Sequence, residues 1–344
     1  MSRLARCEVI DPNEVTVVHV INRTVRRCFL FGDDPVSGKN FDHRKIWVEE
    51  LLEHFAAHFG IDLLCYAILS NHYHLILRSR PDVVESWDDA EVARRWLMIC
   101  PGRRDGWRLA APTDSEINAI RNCPIKLAEI RTRLSSISWW MRLLNQRVAQ
   151  RANKEDQESG RFWQDRYRAI RLIDEQSLLA CAAYVDLNPI RAAIADTVEK
   201  CDHTSIQRRI RSRLDKRRGQ KGDAFLARLT LDEANRSNGA SESQAGRRCS
   251  DTGFLPISLD DYLQLLDWTA RQIVPGKRGV TPRETPPVLC RLGLGPKNWQ
   301  TLVTHFTASF YYVAGRNDRV ASLRSYHSMR RFYIRRSCQQ LLAA

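Results

Sequence analysis

The segment around residue 70 constrains the fold of this chain more than any other part of the sequence. Residues 61–69, IDLLCYAIL, and residues 73–78, YHLILR, are two apolar runs rich in residues that favour strands. The tripeptide SNH separates the two runs, and it is too short to contain anything but a bend. The sequence therefore predicts an antiparallel hairpin whose two strands are both largely buried.

Two further strands and a helix are predicted before this hairpin. Residues 15–21, VTVVHVI, and residues 28–31, CFLF, have the β-branched and apolar character of short strands. Residues 41–60 carry apolar side chains at helical spacing, and Gly60 is placed to end that helix. The order strand, strand, helix, strand, strand predicts an α+β fold with an antiparallel sheet.

The remaining sequence up to residue 205 is predicted to be mostly helical. An irregular helical insertion is expected near 82–125, and an amphipathic pattern at 126–152 predicts one or two helices. Residues 174–189 predict a short helix, because Asp174 is a good N-cap and Pro189 limits its continuation.

A change in composition marks a boundary in the second half of the chain. Residues 206–255 begin with a basic run and continue with few apolar side chains, which predicts a basic and polar linker. We therefore expect a first domain at 1–205 and a mostly helical C-terminal region at 256–344. The arginine-rich stretch 316–336 makes this last region a candidate for DNA binding.

Charge and composition favour a polyanionic partner. The 344 residues carry a formal net charge of +14, and nucleic acid is the usual partner of such a chain. The ten cysteines form no CxxC pair, which argues against a zinc ribbon and a disulfide scaffold. The sequence shows no signal peptide and no apolar stretch long enough to cross a membrane. We expect a cytoplasmic, nucleoid-associated protein that does not bind membranes.

Two histidines in the second strand of the hairpin are candidate metal ligands. On a strand, residues two apart face the same side, so His72 and His74 direct two imidazoles at one place. Two imidazoles can ligate a divalent cation. The pair also fits a plainer interpretation, in which both histidines are polar residues on the solvated face of a sheet. The spacing alone does not choose between the two.

A tyrosine and an asparagine in the helix at 174–189 are a second candidate pair. Tyr184 and Asn188 are four residues apart, so they share a face if the helix extends that far. The tyrosine hydroxyl is then a candidate nucleophile, and the asparagine side-chain oxygen is a candidate metal ligand. Packing of the tyrosine and a turn role for the asparagine remain the alternatives.

Four stretches together resemble a known family, the HUH single-strand tyrosine transposases, and most closely the branch of REP-associated tyrosine transposases. HUH denotes two histidines around a bulky hydrophobic residue, here His72-Tyr73-His74. The stretches follow the family's order and cover most of residues 15–205. They are VVHVINRTVRRCFLFG (17–32), YAILSNHYHLILR (66–78), MRLLNQRVAQRANKEDQESGRFWQDRYRA (141–169) and YVDLNPIRAAI (184–194).

The resemblance implies a ferredoxin-like catalytic domain that cuts and rejoins single-stranded DNA. It implies that His72, His74 and Asn188 hold Mg²⁺ or Mn²⁺ and that Tyr184 is the nucleophile that forms a 5′-phosphotyrosine. Single-stranded or hairpin DNA is the implied partner, with hairpin-forming repeats as targets. We expect the protein to act as a monomer or a homodimer.

Three other functions remain as alternatives. The first is a catalytically silent DNA-binding regulator derived from a transposase. The second is a replication initiator of the same chemistry, although the sequence lacks the Walker A motif of the helicase module that such proteins carry. The third is an RNA-binding protein in which the histidine spacing arose by chance.

Basic and aromatic residues near these motifs are predicted to contact DNA, because arginines suit phosphates and exposed aromatic rings can stack on bases. In the stretch RFWQDRYRAIR (161–171) the alternative is that Phe162 and Trp163 belong to the core and that the arginines form a solvated face. His19 is predicted to be structural. The predicted DNA contacts are Arg23, Arg161, Trp163, Arg166, Arg168 and Arg191.

Overall fold

The computed structural model describes most of the chain. The described residues are 9–25, 31–34, 38–102, 104–105, 108–109, 111–218, 225–231, 246–273, 285–326 and 332–342.

The centre of the fold is a five-stranded sheet. Its strands are β1 (Val17–Arg23), β2 (Ile61–Ile68), β3 (His72–Ser79), β6 (Arg168–Leu172) and β7 (Val313–Ala314). Two short strands, β4 (Arg104–Asp105) and β5 (Arg108–Leu109), form a separate pair. The order in the large sheet is β2-β3-β1-β6-β7, in which only the β6–β7 pair is parallel.

Strands β1, β2, β3 and β6 have the ferredoxin-like arrangement. In it β3 lies between β2 and β1, the two strands that a helix connects. Every residue of β2 is buried, as its continuous apolar run predicts. The α+β class, the antiparallel sheet and the hairpin around SNH are confirmed. The predicted strand at 28–31 lies mostly outside the described residues, and Phe31 is in a turn.

Helices connect the strands and cover both faces of the sheet. α1 (His43–His58) follows β1. The insertion after β3 contains α2 (Pro81–Ser86), α3 (Asp89–Ile99) and α4 (Asp114–Arg121). Then come α5 (Pro124–Leu134) and α6 (Ile137–Asp156), two helices rather than one, because the Ser136 side chain caps α6 by accepting a hydrogen bond from the Trp139 amide.

The helix that carries the candidate nucleophile is shorter than predicted. α7 spans Glu175–Asp186, and the Asp174 side chain caps it by accepting from the Ser177 amide at 2.9 Å. Leu187 leaves the helical conformation, and a separate short helix, α8, runs from Asn188 to Arg191. Pro189 explains the break, because its ring disfavours a continuous helix through the preceding residues.

The described part of the predicted linker is folded. α9 (Ser205–Arg217) lies beside β2, after a short 3₁₀ helix at Val198–Lys200. Four apolar residues after α9 are buried, although the polar composition of the stretch does not suggest it. They are Phe225, Ala227, Cys249 and Leu255. Their burial is possible because α9 and β2 supply the apolar surface that this stretch lacks. The division into domains itself remains a prediction.

The C-terminal region is helical in its described part, as predicted. It contains α10 (Leu259–Ile273), α11 (Pro287–Arg291), α12 (Pro296–Ser309), α13 (Asn317–Tyr326) and a 3₁₀ helix at Arg336–Cys338. α12 packs against α7, and β7 extends the sheet. Across the described ranges, no helix combines the length and the apolar character that a membrane span requires.

Candidate functional site

The two histidines of β3 lie on one face of the sheet. His72 is paired with Arg23 and His74 with Ile21 in the antiparallel register of β3 and β1. Their ring centroids are 5.0 Å apart, with the rings nearly perpendicular. Tyr73 between them faces the other side and is fully buried. The predicted common direction of the two imidazoles is therefore present.

A third histidine, His19, belongs to the same cluster. It lies on β1 and is fully buried, with its Nε2 atom 3.0 Å from the Nδ1 atom of His74. His19 was predicted to be structural. The two-residue period of a strand places His19 on the same face as Ile21, but only the pairing of Ile21 with His74 in the sheet brings His19 to the cluster.

Each histidine of the pair uses its Nδ1 atom in a hydrogen bond and leaves its Nε2 atom available. The His72 Nδ1–H donates to the Asn71 side-chain oxygen at 2.6 Å. If the His74 Nδ1–H donates to His19, the His74 Nε2 atom carries a lone pair. That Nε2 atom is buried and has no hydrogen-bond partner among the described residues. A buried, unpartnered imidazole nitrogen fits a metal ligand, because native proteins seldom leave such atoms unsatisfied.

All three imidazoles are held in the neutral form. Burial lowers the pKa of His72 to about 4, with contributions from the charges of Arg23 and Arg191. Burial also lowers the pKa of His19 to about 3. The pKa of His74 lies well below its usual value, again mainly because of burial. Neutral imidazole is the form that binds metal ions.

Tyr184 reaches this cluster from the last turn of α7. Its ring meets His74 edge-on at a centroid distance of 5.4 Å, and it meets His19 at 5.9 Å. The Arg191 guanidinium carbon lies 4.0 Å from the centre of the tyrosine ring. The structure thus brings together the two candidate motifs, which are more than a hundred residues apart in the sequence.

Asn188 lies at the start of α8 and is buried, with 3% of its surface exposed. Its side-chain oxygen is 3.5 Å from an Arg191 nitrogen, and its amide nitrogen has no hydrogen-bond partner in the described part of the chain. No group of three or more His, Cys, Asp or Glu side chains in the described ranges is placed to hold a metal ion. The Asn188 oxygen as a third ligand stays a prediction.

A helix of the C-terminal region covers the tyrosine. The Thr307 hydroxyl of α12 is 3.1 Å from the Tyr184 hydroxyl, and the Phe306 ring is 5.9 Å from the tyrosine ring. Arg191 donates to the Val303 carbonyl on the same helix at 2.9 Å. Only 5% of Tyr184 is exposed as a result. The sequence contained no signal for this contact, because α12 has an ordinary amphipathic pattern.

Three of the predicted DNA contacts line one cleft. Arg161, Trp163 and Arg166 border a cavity of about 630 Å³ at the end of β1, together with Trp139 and Arg142. The three arginines are exposed. Trp139 and Arg142 were missed by the sequence analysis, although the adjacent tryptophans of α6 were visible in the sequence.

Trp163 is partly a core residue. Its ring packs edge-on against Tyr73 at 5.4 Å, and its Nε1–H donates to the Asn145 carbonyl at 2.8 Å. The neighbouring Phe162 is buried. Trp163 therefore supports the fold and also borders the cleft, and its contact with DNA stays a prediction.

The other three predicted DNA contacts lie on the histidine face. Arg23 and Arg191 are close enough to His72 to lower its pKa, and Arg168 acts in the same way on His19. Arg168 also donates to the Phe310 carbonyl and lies 5.0 Å from the Tyr311 ring centre. It is thus separated from the cleft arginines, although it is close to them in sequence.

The cleft and the histidine cluster lie on opposite sides of the same strand end. Asn22 lines the cleft, whereas the next residue, Arg23, pairs with His72 on the other face of the sheet.

A buried carboxylate holds the helix of Tyr184 against two other helices. Asp186 accepts hydrogen bonds from the Ser205 hydroxyl at 2.5 Å, the Ile206 amide at 3.1 Å and the Tyr262 hydroxyl at 2.8 Å. Burial nevertheless raises the pKa of Asp186 to about 6 from an ordinary value of 3.8. The carboxylate is therefore a pH-dependent element of the fold.

We expect the Asp186→Asn variant to gain stability relative to the wild type as the pH rises. Between about pH 4 and pH 6 the folded wild type binds more protons than the unfolded chain, so its stability falls as pH increases. Asparagine does not titrate, so the difference in unfolding free energy between the variant and the wild type should change by about 2 kcal/mol from pH 4.5 to pH 8. Urea unfolding of both proteins at pH 4.5 and pH 8 measures it. A difference independent of pH would contradict the expectation.

Comparisons with known proteins give one structural similarity. A family model described as a protein of unknown function, DUF2972, matches residues 37–91. No curated protein matches the chain. A solved structure described as "Structure of the REP associates tyrosine transposase bound to a REP hairpin" is similar, with 13% sequence identity and a TM-score of 0.33. The match covers 65% of this chain and 90% of that chain. These values are too low to carry a functional argument.

Proposed function

We propose that this protein is a metal-dependent single-strand DNA endonuclease and strand transferase that acts through Tyr184. The observation that carries the proposal is the contact of Tyr184 with His74, at a ring distance of 5.4 Å, beside an imidazole nitrogen that has no partner in the described structure. Hairpin-forming repeats are the substrate that the sequence resemblance implies.

The histidine pair and Asn188 supply the donor atoms for a cation. The Nε2 atoms of His72 and His74 and the Asn188 side-chain oxygen are the atoms that would hold it. Bound Mg²⁺ or Mn²⁺ would neutralise negative charge that develops on a DNA phosphate. Asn71 and His19 orient the two imidazoles by the hydrogen bonds to their Nδ1 atoms, which are 2.6 and 3.0 Å long.

Tyr184 is the nucleophile in this proposal. Its hydroxyl oxygen attacks the phosphorus of a backbone phosphodiester, and the bond from phosphorus to the 3′ oxygen breaks. The phenol loses its proton, and the leaving 3′ oxygen takes one up. The product is a 5′-phosphotyrosine and a free 3′-hydroxyl, and a second 3′-hydroxyl can reverse the step and join strands. The positive charge of Arg191, 4.0 Å from the ring centre, stabilises the charge that develops there.

The cleft at the end of β1 is the proposed DNA grip. Arg142, Arg161 and Arg166 supply three charges for phosphates. The Trp139 ring in the lining is already engaged, because the Arg133 and Arg142 guanidinium carbons lie 4.3 and 4.8 Å from its centre. The cleft therefore suits the sugar–phosphate backbone of a strand.

A catalytically silent DNA-binding regulator is the second candidate. The specific observation in its favour is the cover over Tyr184, where Phe306 and Thr307 of α12 leave 5% of the tyrosine exposed. A regulator of this kind keeps the cleft and its affinity for DNA but forms no covalent intermediate. A cleavage assay with labelled hairpin DNA therefore separates the two functions.

Replacement of His72 or His74 by alanine is expected to lower cleavage of a hairpin in Mn²⁺ by about two powers of ten or more, because a cation ligand is lost. DNA affinity should change little, since neither ring lines the cleft. Gel analysis of labelled DNA measures cleavage, and fluorescence anisotropy measures binding. His43→Ala is the control, because His43 is a partly exposed histidine paired with Glu155. Wild-type cleavage by either site variant would remove the metal assignment.

Neutralisation of the cleft is expected to weaken DNA binding and its dependence on salt. The variant Arg142→Gln/Arg161→Gln/Arg166→Gln loses three phosphate contacts, so the slope of log affinity against log salt should decrease by about 2 for a single strand. Anisotropy titrations between 50 and 200 mM salt measure the slope. The control is Arg94→Gln/Arg121→Gln/Lys126→Gln, which removes three exposed charges elsewhere. Equal slopes in the cleft variant and the wild type would place the DNA grip outside the cleft.

A further inference from the structure

A basic groove lies beside the outer strand of the sheet, away from the cleft. It has a volume of about 820 Å³ and is bordered by α9 and by parts of 225–231 and 246–259. Seven of its lining residues are arginine or lysine, five of them on α9, and one, Asp251, is acidic. Charge of one sign is therefore concentrated in a concave surface that the proposed chemistry does not use.

The fold holds some of these cations in place. Arg209 donates to the Ala227 carbonyl at 3.0 Å and to the Leu64 carbonyl at 2.8 Å, which ties α9 to β2 and to the groove floor. The Arg208 guanidinium carbon lies 5.1 Å from the Phe225 ring centre. The two peptide carbonyls leave the charge of Arg209 uncancelled, whereas Arg208 also pairs with Glu53 at 3.5 Å.

Acidic neighbours offset only part of the charge. Asp251 pairs with Arg248 at 2.5 Å and with Arg228 at 3.8 Å, and Asp260 outside the lining pairs with Arg213. Lys216, Arg217 and Arg228 are exposed at the groove. A groove with such an excess of cations concentrates polyanions from solution.

We propose that this groove binds the sugar–phosphate backbone of a nucleic-acid strand, as a second contact apart from the cleft. Arg209, Arg213 and Arg217 are spaced by four residues and so share one face of α9. They extend over about 12 Å, at 1.5 Å per residue. At the axial rise of about 3.4 Å per nucleotide of one strand in B-form DNA, that length spans about three phosphates. A row of charges suits a polyanion of regular spacing better than it suits an acidic peptide.

The groove is suited to sequence-independent binding. Its apolar floor includes Leu226, Leu229 and Leu259, and none of the residues described as lining it is aromatic. Bases therefore find no ring to stack on, and contact is limited to phosphates and sugars. A strand held both here and in the cleft is bound more tightly than at either place alone, because the second contact becomes intramolecular.

The test compares two charge-matched variants in DNA binding. Lys216→Gln/Arg217→Gln/Arg228→Gln removes the three exposed cations of the groove. The control is the triple variant of Arg94, Arg121 and Lys126 used for the cleft. The probe is a fluorescein-labelled 40-nucleotide single strand of mixed sequence, titrated by anisotropy from 50 to 200 mM salt. We expect the groove variant to lower the salt slope by about 2 and the control to retain the wild-type slope.

Two results of this titration would overturn the proposal, and a third would come from a parallel titration with polyglutamate. One is a groove variant with the wild-type slope, and the other is an equal decrease in the control, which would reflect net charge alone. Loss of polyglutamate binding without loss of DNA binding would also overturn it and would assign the groove to acidic peptides. Because the readout is binding, the outcome does not depend on Tyr184, and a cleavage assay on the same variants tests the proposed chemistry separately.

Discussion

The Tyr184→Phe variant is expected to form no covalent protein–DNA adduct and to lose strand cleavage by at least about a thousandfold, equivalent to ~4 kcal/mol of barrier. Phenylalanine keeps the ring that packs on His74 and lies under Arg191, and it removes only the oxygen that bonds to Thr307. The loss of that single hydrogen bond costs about 1 kcal/mol of stability, so the variant should fold. The measurement is a denaturing gel of 3′-labelled hairpin DNA incubated with Mn²⁺, because that label stays on the fragment joined to the protein.

Tyr167→Phe is the matched control for this experiment. Tyr167 is also buried and also bonds to a hydroxyl, that of Ser138 at 3.0 Å, but it borders the cleft instead of the histidine cluster. We expect its adduct to equal that of the wild type. An adduct that persists in Tyr184→Phe would show that another residue is the nucleophile. Cleavage by the wild type without any adduct would indicate attack by water, and the absence of cleavage would favour the DNA-binding regulator.

The Asp62→Ala variant is expected to lose about 3–5 kcal/mol of unfolding free energy, the range typical of a buried ion pair that loses one partner. Asp62 on β2 is fully buried and accepts from the Arg78 Nε–H at 2.9 Å and from the Ser250 amide at 3.0 Å. Arg80 lies within 3.4 Å of the same carboxylate. Alanine leaves two buried guanidinium groups without this carboxylate.

Urea unfolding at pH 7 measures the effect. Asp89→Ala is the control, because Asp89 pairs with Arg131 at an exposed position and such pairs contribute less than about 1 kcal/mol. The Asp62 variant should also expose residues 246–255 to proteases, since Arg78 holds that segment through the Thr252 and Gly253 carbonyls at 2.7 and 2.9 Å. Equal stability of the wild type and Asp62→Ala would show that the network is solvated and does not anchor the segment.

Local patterns were sufficient for β1, for the β2–β3 hairpin and for the histidine pair, whereas β6 and β7 were not predicted. The apolar run of β2 predicted a buried strand, and the bend SNH predicted the hairpin that joins it to β3. The two-residue period of a strand then placed His72 and His74 on one face without further information. Helix ends that depend on local chemistry were also predictable, as the Asp174 cap shows.

Long-range packing was not predictable in the same way. Residues 206–255 have the composition of a linker, yet Asp62 and Arg78 hold part of them through hydrogen bonds to Ser250 and Gly253. The cover over Tyr184 depends on α12, more than a hundred residues later in the chain. The composition of a segment describes only its own residues. Their burial depends on which other parts of the chain pack against that segment.

The sequence by itself determined β1, the helix after it and the β2–β3 hairpin, together with the common face of His72 and His74 and the basic character of the protein. Each of these depends on neighbours in the chain or on a sum over it. Only the tertiary structure decided that Tyr184 meets His74, that His19 shares a hydrogen bond with it, and that Arg161 and Arg168 lie at different places. Side chains far apart in sequence meet where strands pair and helices pack. Their distances follow from register and packing, which no local pattern encodes.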